Sequence, residues 1–345
     1  MKVLILAGGK GSRLWPLSKE KCPKQFVKFL PEGNNLSLFQ MTYKRAMKLT
    51  ENKNIYIITN VNYKNLVLKQ IREITDTMAT KNIICETVGK NTLPAILYGT
   101  KVSCMEKDDC VVVLPSDHKI ENEDKMVEII QESVPLAKEN IITFGMTPDK
   151  PSTEYGYIEP GGSLSNGYQV LDFKEKPCAE KAQEFINNGY FWNSGMFMFF
   201  ARIFMKETEK YSPEIFSAVM NYNTIEECYN GFDEGISIDY GVMEKTNKIA
   251  VVPMNIGWSD LGGFDAFYTA FISDKNGNIC DENVITLDST NNLVITQNSK
   301  MAVLIGVDHV IAVEQNGVLV ICKENESYRI KEIVENLKKQ NSVLV

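Results

Sequence analysis

The sequence predicts an α/β protein built on a mostly parallel, doubly wound sheet and followed by a small β-rich domain. Three observations carry that prediction. A short apolar strand, Val3-Leu4-Ile5-Leu6, runs straight into a loop holding Gly8, Gly9 and Gly11. Four further β-rich runs alternate with helical spacing as far as Phe144, the pattern of buried parallel strands joined by crossover helices. Past Ile279, short β runs recur between Asn, Asp and Gly turns, which suggests a small β-solenoid or sheet domain.

The elements follow in order. After the glycine loop comes a basic, Pro-punctuated segment with Arg13, Lys19, Lys21 and Lys24. Residues 37–49 read as a helix, with Phe39, Tyr43 and Met47 at helical spacing. Residues 55–58 read as a strand, the stretch through Leu66, Ile71 and Ile74 as a helix, and 83–85 as a strand. A helix over 94–105, a strand over 111–114, a helix over 126–137 and a strand over 141–144 complete the alternation. From Thr153 the texture changes: 154–158 and 168–173 read as strands flanking a Gly-rich turn at Pro160-Gly161-Gly162. The spacing then predicts a helix near 180–187, an aromatic strand over 190–200, helices around 203–210, 214–220 and 236–245, and a strand over 249–254. This half has the look of an acceptor-binding region. The later β runs are 284–287, 293–296, 301–305, 309–313 and 318–322. An amphipathic helix over 328–338 closes the chain, with Ile330, Ile333, Val334 and Leu337 on one face. We place the domain boundary near residue 282, giving domains 1–282 and 283–345.

Composition narrows the function classes. The 345 residues carry a net charge of −7, which argues against broad nucleic-acid or anionic-membrane binding. Basic residues near the glycine loop are therefore a local feature on an acidic body, suited to a small anionic ligand. The eight cysteines contain no C-x-x-C pair, and several lie in apolar runs, as expected for reduced thiols in the cytoplasm. Two histidines, His118 and His309, offer little material for a zinc cage or a Ser-His-Asp triad. The opening apolar run is too short for a signal peptide, and no stretch approaches a membrane span. The expected location is cytoplasmic, with neither nucleic acid nor membrane as a partner.

The glycine loop fits neither of two familiar nucleotide loops. A P-loop needs Gly-Lys-Ser/Thr where this chain has Arg13 five residues after Gly8, and a dinucleotide fingerprint needs Gly where Leu14 follows Gly11 by three. An NAD-dependent oxidoreductase is rejected on that ground. Asp117 follows the run Val111-Leu114, and Asp260 sits in Trp258-Ser259-Asp260-Leu261-Gly262-Gly263. Each could hold Mg²⁺ beside substrate phosphates, or cap a helix or turn. His118 could orient a ligand or be structural. Glu175-Lys176 suits sugar hydroxyls and a phosphate, or is a solvated surface pair. The polar Asn193-Ser194-Gly195 inside an aromatic run suits a sugar ring, Asp239 and Glu244 could serve the site or cap a helix, and residues 86–95 could read a base.

Together the motifs LAGGKGSRLWPLS (6–18), PKQF (23–26), NTLPAI (91–96), LPSDH (114–118), YGYIE (155–159), EKP (175–177), WNSGMF (192–197), SIDYGVMEK (237–245) and WSDLGG (258–263) resemble those of sugar-phosphate nucleotidyltransferases. The resemblance is strongest to mannose-1-phosphate guanylyltransferases and covers almost all of residues 1–265. It implies a Rossmann-like nucleotide-diphospho-sugar transferase fold with a small C-terminal β-helix-like domain. It also implies Mg²⁺-dependent transfer from GTP to mannose 1-phosphate, without the isomerase domain of longer members. Arg13, Lys24, Asp117 and Asp260 would be catalytic, the two aspartates as metal ligands. Leu6, Ala7, Gly8, Gly9, Gly11, Ser12, Glu86, Asn91, Pro94, Ala95 and Ser116 would join Arg13, Lys24 and Asp117 in binding the nucleotide. Tyr155, Gly156, Glu175, Lys176, Asn193, Ser194, Gly195 and Asp239 would bind the sugar phosphate. A homodimer is left open. Lys90 and Leu93 stand where the family usually has Arg and Ala, and Ser12 where it often has Thr. The alternatives are another sugar or base, as in glucose-1-phosphate thymidylyl- or uridylyltransferases, or a catalytically silent regulatory relative.

Overall fold

The computed structural model describes residues 1–9, 11–28, 35–77, 80–104, 108–296, 301–340, 342 and 344. In chain order the strands are β1 (Lys2–Ala7), β2 (Ile55–Asn60), β3 (Ile83–Glu86), β4 (Cys110–Pro115), β5 (Lys119–Ile120), β6 (Ile141–Met146), β7 (Tyr157–Ser163), β8 (Tyr168–Lys174), β9 (Phe191–Phe200), β10 (Ile249–Pro253), β11 (Trp258–Ser259), β12 (Ile279–Cys280), β13 (Val284–Leu287), β14 (Leu293–Ile295), β15 (Ala302–Ile305), β16 (Val310–Gln315) and β17 (Val318–Lys323). The chain divides into two compact units. One comprises Met1–Gly8, Thr42–Pro115 and Asn122–Ile256, the other Gly9–Met41, Ser116–Glu121 and Gly257–Val345.

In the first unit, nine strands form one sheet among the described residues, in the order β3-β2-β1-β4-β9-β6-β10-β8-β7. β1 pairs parallel with β2 and β4, β2 with β3, and β6 with β10. β9 runs antiparallel between β4 and β6. Val3, Leu4 and Ile5 of β1 and Val111, Val112 and Val113 of β4 are fully buried, because both faces of these central strands are covered. Helices Lys64–Arg72 and Thr92–Ser103 are the crossovers that bring the chain out to β3 and back to β4. The order thus reverses between β1 and β4. Their carboxyl ends form a topological switch point, the usual place for a ligand on an open α/β sheet.

Several elements differ from the sequence expectation. Pro160, Gly161 and Gly162 lie inside β7 rather than in a turn. The β7–β8 register slips on either side of Pro160, so a bulge absorbs the glycines, and the reversal falls where Leu164 N donates to Gly167 O at 2.8 Å. The helix expected over 236–245 is only a five-residue π-helical turn, Asp239–Met243. The helix expected over 126–137 is two, Glu123–Glu132 and Val134–Ala137, since Pro135 cannot donate to the preceding turn. Ile225–Asn230 forms a helix that periodicity did not suggest, closed by a Thr224/Glu227 capping box. The helix expected over 94–105 is Thr92–Ser103, and Met105 lies outside the described residues.

The second unit stacks β12, β14 and β16 in parallel, with β17 antiparallel at the edge, and pairs β13 with β15. Successive strands thus coil into two sheets, as in a short β-helix. A buried asparagine ladder holds the turns. Asn292 Nδ2 donates to Asn278 Oδ1 at 3.0 Å and to Val307 O at 2.7 Å, while its Oδ1 accepts from Val310 N at 2.9 Å. Asn316 and Gly317, both at positive φ, make the tight β16–β17 hairpin. Leu14, Trp15 and Leu17 share a core with Phe264, Phe267, Ile311, Ile330 and Val334. The basic segment after the glycine loop is thereby anchored on the β-rich unit. The last helix is Ile330–Lys339, and its Ile333 is half exposed, so the apolar face is narrower than the four-residue stripe expected.

Candidate active site

Three groups of the expected site residues are brought together, two in the first unit and one in the second. The first gathers at β9 and β8. Asn193 Nδ2 donates to Asp239 Oδ1 at 2.9 Å, and Asn193 Oδ1 accepts from Thr143 Oγ1 and Gly195 N, both at 3.1 Å. These bonds fix the amide so that it can donate to a carboxylate. Glu175 Oε1 accepts from Lys176 Nζ at 2.7 Å. Its Oε2 is buried without a hydrogen-bond partner, facing Gly156 so closely that a Cβ there would collide with it. An orphaned buried carboxylate oxygen is costly. Its natural complement is a ligand hydroxyl. Tyr155 and Trp192 meet edge to face at 4.8 Å beside it. Burial, then the nearby Glu175 charge, pushes the Asp239 carboxyl up to about 6. Burial acts to lower the Lys176 ammonium, but its contact with Glu175 outweighs this and leaves it raised.

Ser194 and Asn91 are turned to the backbone. Ser194 Oγ donates to Phe144 O at 2.7 Å and accepts from Met196 N at 3.2 Å. Asn91, at positive φ, caps the Thr92–Ser103 helix through its own neighbour's N–H.

The second group lies at the ends of β1 and β3. Glu86, the last residue of β3, is 7% exposed. Its Oε1 accepts from Tyr229 Oη at 2.6 Å, and its Oε2 lies 3.1 Å from where a Gly8 Cβ would stand. Leu6 and Ala7 belong to β1, and Pro94 and Ala95 are buried in the first turns of the crossover helix. Tyr229 is absent from the sequence expectation. The Thr224/Glu227 capping box that starts its helix was the available signal. The family's Arg position, Lys90, donates to the carbonyls of Phe232 and Asp233 and lies 4.5 Å over the Phe232 ring. It therefore braces the segment that carries Tyr229. Leu93 is fully buried and packs towards Gly241.

The third group, in the second unit, centres on Lys24. Its ammonium reaches Asp117 Oδ2 at 2.8 Å and the main-chain oxygen of Asp260 at 2.7 Å. Burial acts to raise the Asp117 carboxyl, but the Lys24 charge and hydrogen bond prevail and hold it below the ordinary carboxylate range. The loop is shaped to admit this lysine. Gly11 has φ +49, and a Cβ there would stand 2.8 Å from Lys24 Cγ and 2.9 Å from Lys24 N. Gln25 Nε2 donates to Gly9 O at 2.8 Å, and Ser18 Oγ to Gly11 O at 2.5 Å, so the PKQF motif closes the loop from behind. Arg13 is exposed on the short turn Ser12–Leu14, and the Ser12 side chain lies outside the described residues. Ser116 is buried. His118 Nδ1 accepts from Trp258 Nε1 at 3.1 Å, which supports the structural reading of this histidine.

Asp117 and Asp260 offer hard carboxylate oxygens, one of Asp260's accepting from Gly262 N at 3.2 Å, and the Lys24 ammonium meets the Asp117 carboxylate and the Asp260 main chain. That donor set suits a hard divalent ion, which commonly binds through one or two carboxylates completed by substrate phosphates. Among the described residues no cluster of three or more metal-ligating side chains forms an all-protein cage. None of their helices is long and apolar enough to cross a membrane.

The chain is similar to known proteins over nearly its whole length. The nucleotidyl transferase family matches residues 2–277, and the MannoseP isomerase/GMP-like β-helix domain matches residues 282–337. Mannose-1-phosphate guanylyltransferase 2 of Escherichia coli O157:H7 is 35% identical over 360 residues, covering 98% of this chain and 73% of its own length. A mannose-1-phosphate guanylyltransferase of Salmonella montevideo is also 35% identical, covering 98% and 74%. The crystal structure of a mannose-1-phosphate geranyltransferase from Thermus thermophilus is 27% identical and superposes with a TM-score of 0.88, covering 98% of this chain and 99% of that one. Nucleotidyl transferases of this kind bind a nucleoside triphosphate and a sugar 1-phosphate and generally work with a divalent metal. With the motifs, the sheet order and both matched regions in agreement, the chain belongs to the mannose-1-phosphate guanylyltransferase family of nucleotidyl transferases.

Proposed function

We propose that the protein transfers GMP from GTP to α-D-mannose 1-phosphate, forming GDP-mannose and pyrophosphate. The observation that carries the chemistry is the Lys24 ammonium held between Asp117 and the Asp260 main chain. A phosphate oxygen of the sugar phosphate forms the new bond to the α-phosphorus as the bond to the bridging oxygen of pyrophosphate breaks. That nucleophile is anionic at neutral pH, so no general base is required and two histidines in the whole chain are no obstacle. What the residues must supply is alignment of mutually repelling anions and neutralisation of the leaving group.

In this reading Lys24 and Arg13 bind the triphosphate and the developing pyrophosphate, aided by main-chain amides of the Gly8–Gly11 loop. Glu86 and the residues around Asn91, Pro94 and Ala95 take the base. Glu175 Oε2 accepts a mannose hydroxyl, Asn193 and Asp239 bind the ring, Gly156 leaves room for it, and Lys176 meets the phosphate. Ser194 and Gly195 shape the strand that carries Asn193. Asp117 and Asp260 would hold Mg²⁺, which when bound supplies charge neutralisation at the phosphates. The domain division at residue 282 and a cytoplasmic location belong to this proposal.

The test is a grid of nucleoside triphosphates against sugar 1-phosphates, scored by pyrophosphate release with and without Mg²⁺. GTP with mannose 1-phosphate should give the best rate, and Asp117→Ala should abolish it without unfolding the protein. A best rate with another pair overturns the substrate reading, and near-normal release by Asp117→Ala overturns the metal assignment.

A further inference from the structure

Glu86 and Tyr229 form a buried pair that the phosphate and sugar chemistry does not use. Tyr229 is 3% exposed and Glu86 7%, and they are joined by the 2.6 Å hydrogen bond from Tyr229 Oη to Glu86 Oε1. Glu86 ends β3, in register with Asn60 at the end of β2. Its side chain nonetheless reaches Gly8, which follows β1. It must therefore lie across the carboxyl ends of two strands, at the edge where ligands bind.

A carboxylate is an odd choice for mere packing there. Burial raises the Glu86 carboxyl and outweighs the Tyr229 hydrogen bond, which acts to lower it; by donating to Oε1 the phenol holds that oxygen as an acceptor. Tyr229 is itself braced. Its ring meets Phe232 at 5.8 Å, and Lys90 holds the carbonyls of Phe232 and Asp233.

We propose that Tyr229 is a positioning residue for base selection: it pins Glu86 Oε1 so that the carboxylate presents Oε2 beside Gly8 as an acceptor for two adjacent N–H groups of a nucleobase. Only guanine among the common bases carries such a pair, N1–H and N2–H₂, on its Watson–Crick edge. Adenine and cytosine set an acceptor beside their amino group, and uracil flanks its N–H with carbonyls. A site built to bind a donor pair rejects a base that lacks one, because a buried acceptor is then left unmatched. This inference rests on the guanylyl transfer proposed above.

The experiment compares wild-type protein with Tyr229→Phe and Glu86→Gln, using GTP, ITP and ATP with saturating mannose 1-phosphate, and records a thermal melt of each. ITP keeps N1–H but lacks the N2 amino group. The wild type should favour GTP over ITP on the order of 10-fold in kcat/KM. In Tyr229→Phe the KM for GTP should rise with kcat within about twofold, and the GTP-to-ITP ratio should fall towards one. Glu86→Gln should lose the same discrimination. Tyr229→Phe with a lower melting temperature but an unchanged ratio would make Tyr229 structural and overturn the proposal. A wild-type GTP-to-ITP ratio near one overturns it without any variant. Failure of guanylyl transfer itself shows separately, as a wild-type preference for ATP or as no pyrophosphate release with any of the three nucleotides.

Discussion

Replacing Gly11 by alanine tests whether the glycine loop is shaped around Lys24. Gly11 sits at φ +49, a left-handed conformation that costs an L-residue about 1–2 kcal/mol. The new methyl would also meet Lys24 N at 2.9 Å and Cγ at 2.8 Å. The side-chain carbon can give way, but the main-chain nitrogen opens the turn that carries Gln25 and Phe26 and cannot move alone. Forced overpacking typically adds 1–3 kcal/mol, so the total loss should be roughly 2–5 kcal/mol. Gly9 is the matched control. It is exposed, and a Cβ there meets nothing within 4 Å, so Gly9→Ala should stay within about 0.5 kcal/mol of wild type. Denaturant unfolding of both variants reads the stabilities. Pyrophosphate release at saturating substrates reads the consequence for Lys24, where a misplacement of about 1 Å can cost on the order of 10²-fold. If Gly11→Ala unfolds at the wild-type midpoint with wild-type turnover, or Gly9→Ala is equally destabilised, the loop is not built around Lys24.

Three further outcomes follow from the site geometry. Glu175→Gln should raise the KM for mannose 1-phosphate on the order of 10-fold with little change in melting temperature; steady-state kinetics showing an unchanged KM would remove Glu175 from the sugar contacts. Asp239 has a raised carboxyl, about 6 in the folded protein, so it favours folding when protonated, below pH about 4, and that contribution is lost as pH rises from about 4 to 6. Asp239→Asn should therefore be more stable than wild type above pH 6, by at most roughly 3 kcal/mol, and no more stable at pH 4; a gain independent of pH in unfolding titrations would refute the cause assigned. Ser194→Ala should cost roughly 1–3 kcal/mol, because the Phe144 carbonyl loses its donor, while leaving the KM for mannose 1-phosphate unchanged; the reverse pattern would put Ser194 in contact with the sugar.

Much of the fold and site was legible in the sequence because it is written in short-range patterns. Continuous apolar runs such as 111–114 mark strands buried on both faces, and the glycines after residues 3–6 mark where Gly8 and Gly11 leave room for the Glu86 and Lys24 side chains. The resemblance named Asp117, Asp260, Lys24, Glu175 and Asn193 because each stands in a local motif. Local signals also misled: Pro160-Gly161-Gly162 has turn composition yet lies within β7, where a bulge and the neighbouring Leu171 side chain accommodate it. The helix expected over 236–245 shrank to one π-helical turn, so its periodicity did not decide its structure.

The sequence alone therefore determined which strands are central, where the chain turns β-rich, and where basic residues cluster after the glycine loop. Only tertiary structure decided which of them meet. Tyr229 and Glu86 are 143 residues apart, and Lys24 and Asp260 are 236 apart. Side-chain bonds across such separations leave no trace in local propensity or periodicity. The partition of the chain has the same origin: Leu14, Trp15 and Leu17 bury with Ile330 and Val334, so the basic segment beside the glycine loop is organised by the core of the β-rich unit. Burial against distant neighbours fixes that association, and no window of adjacent residues records it.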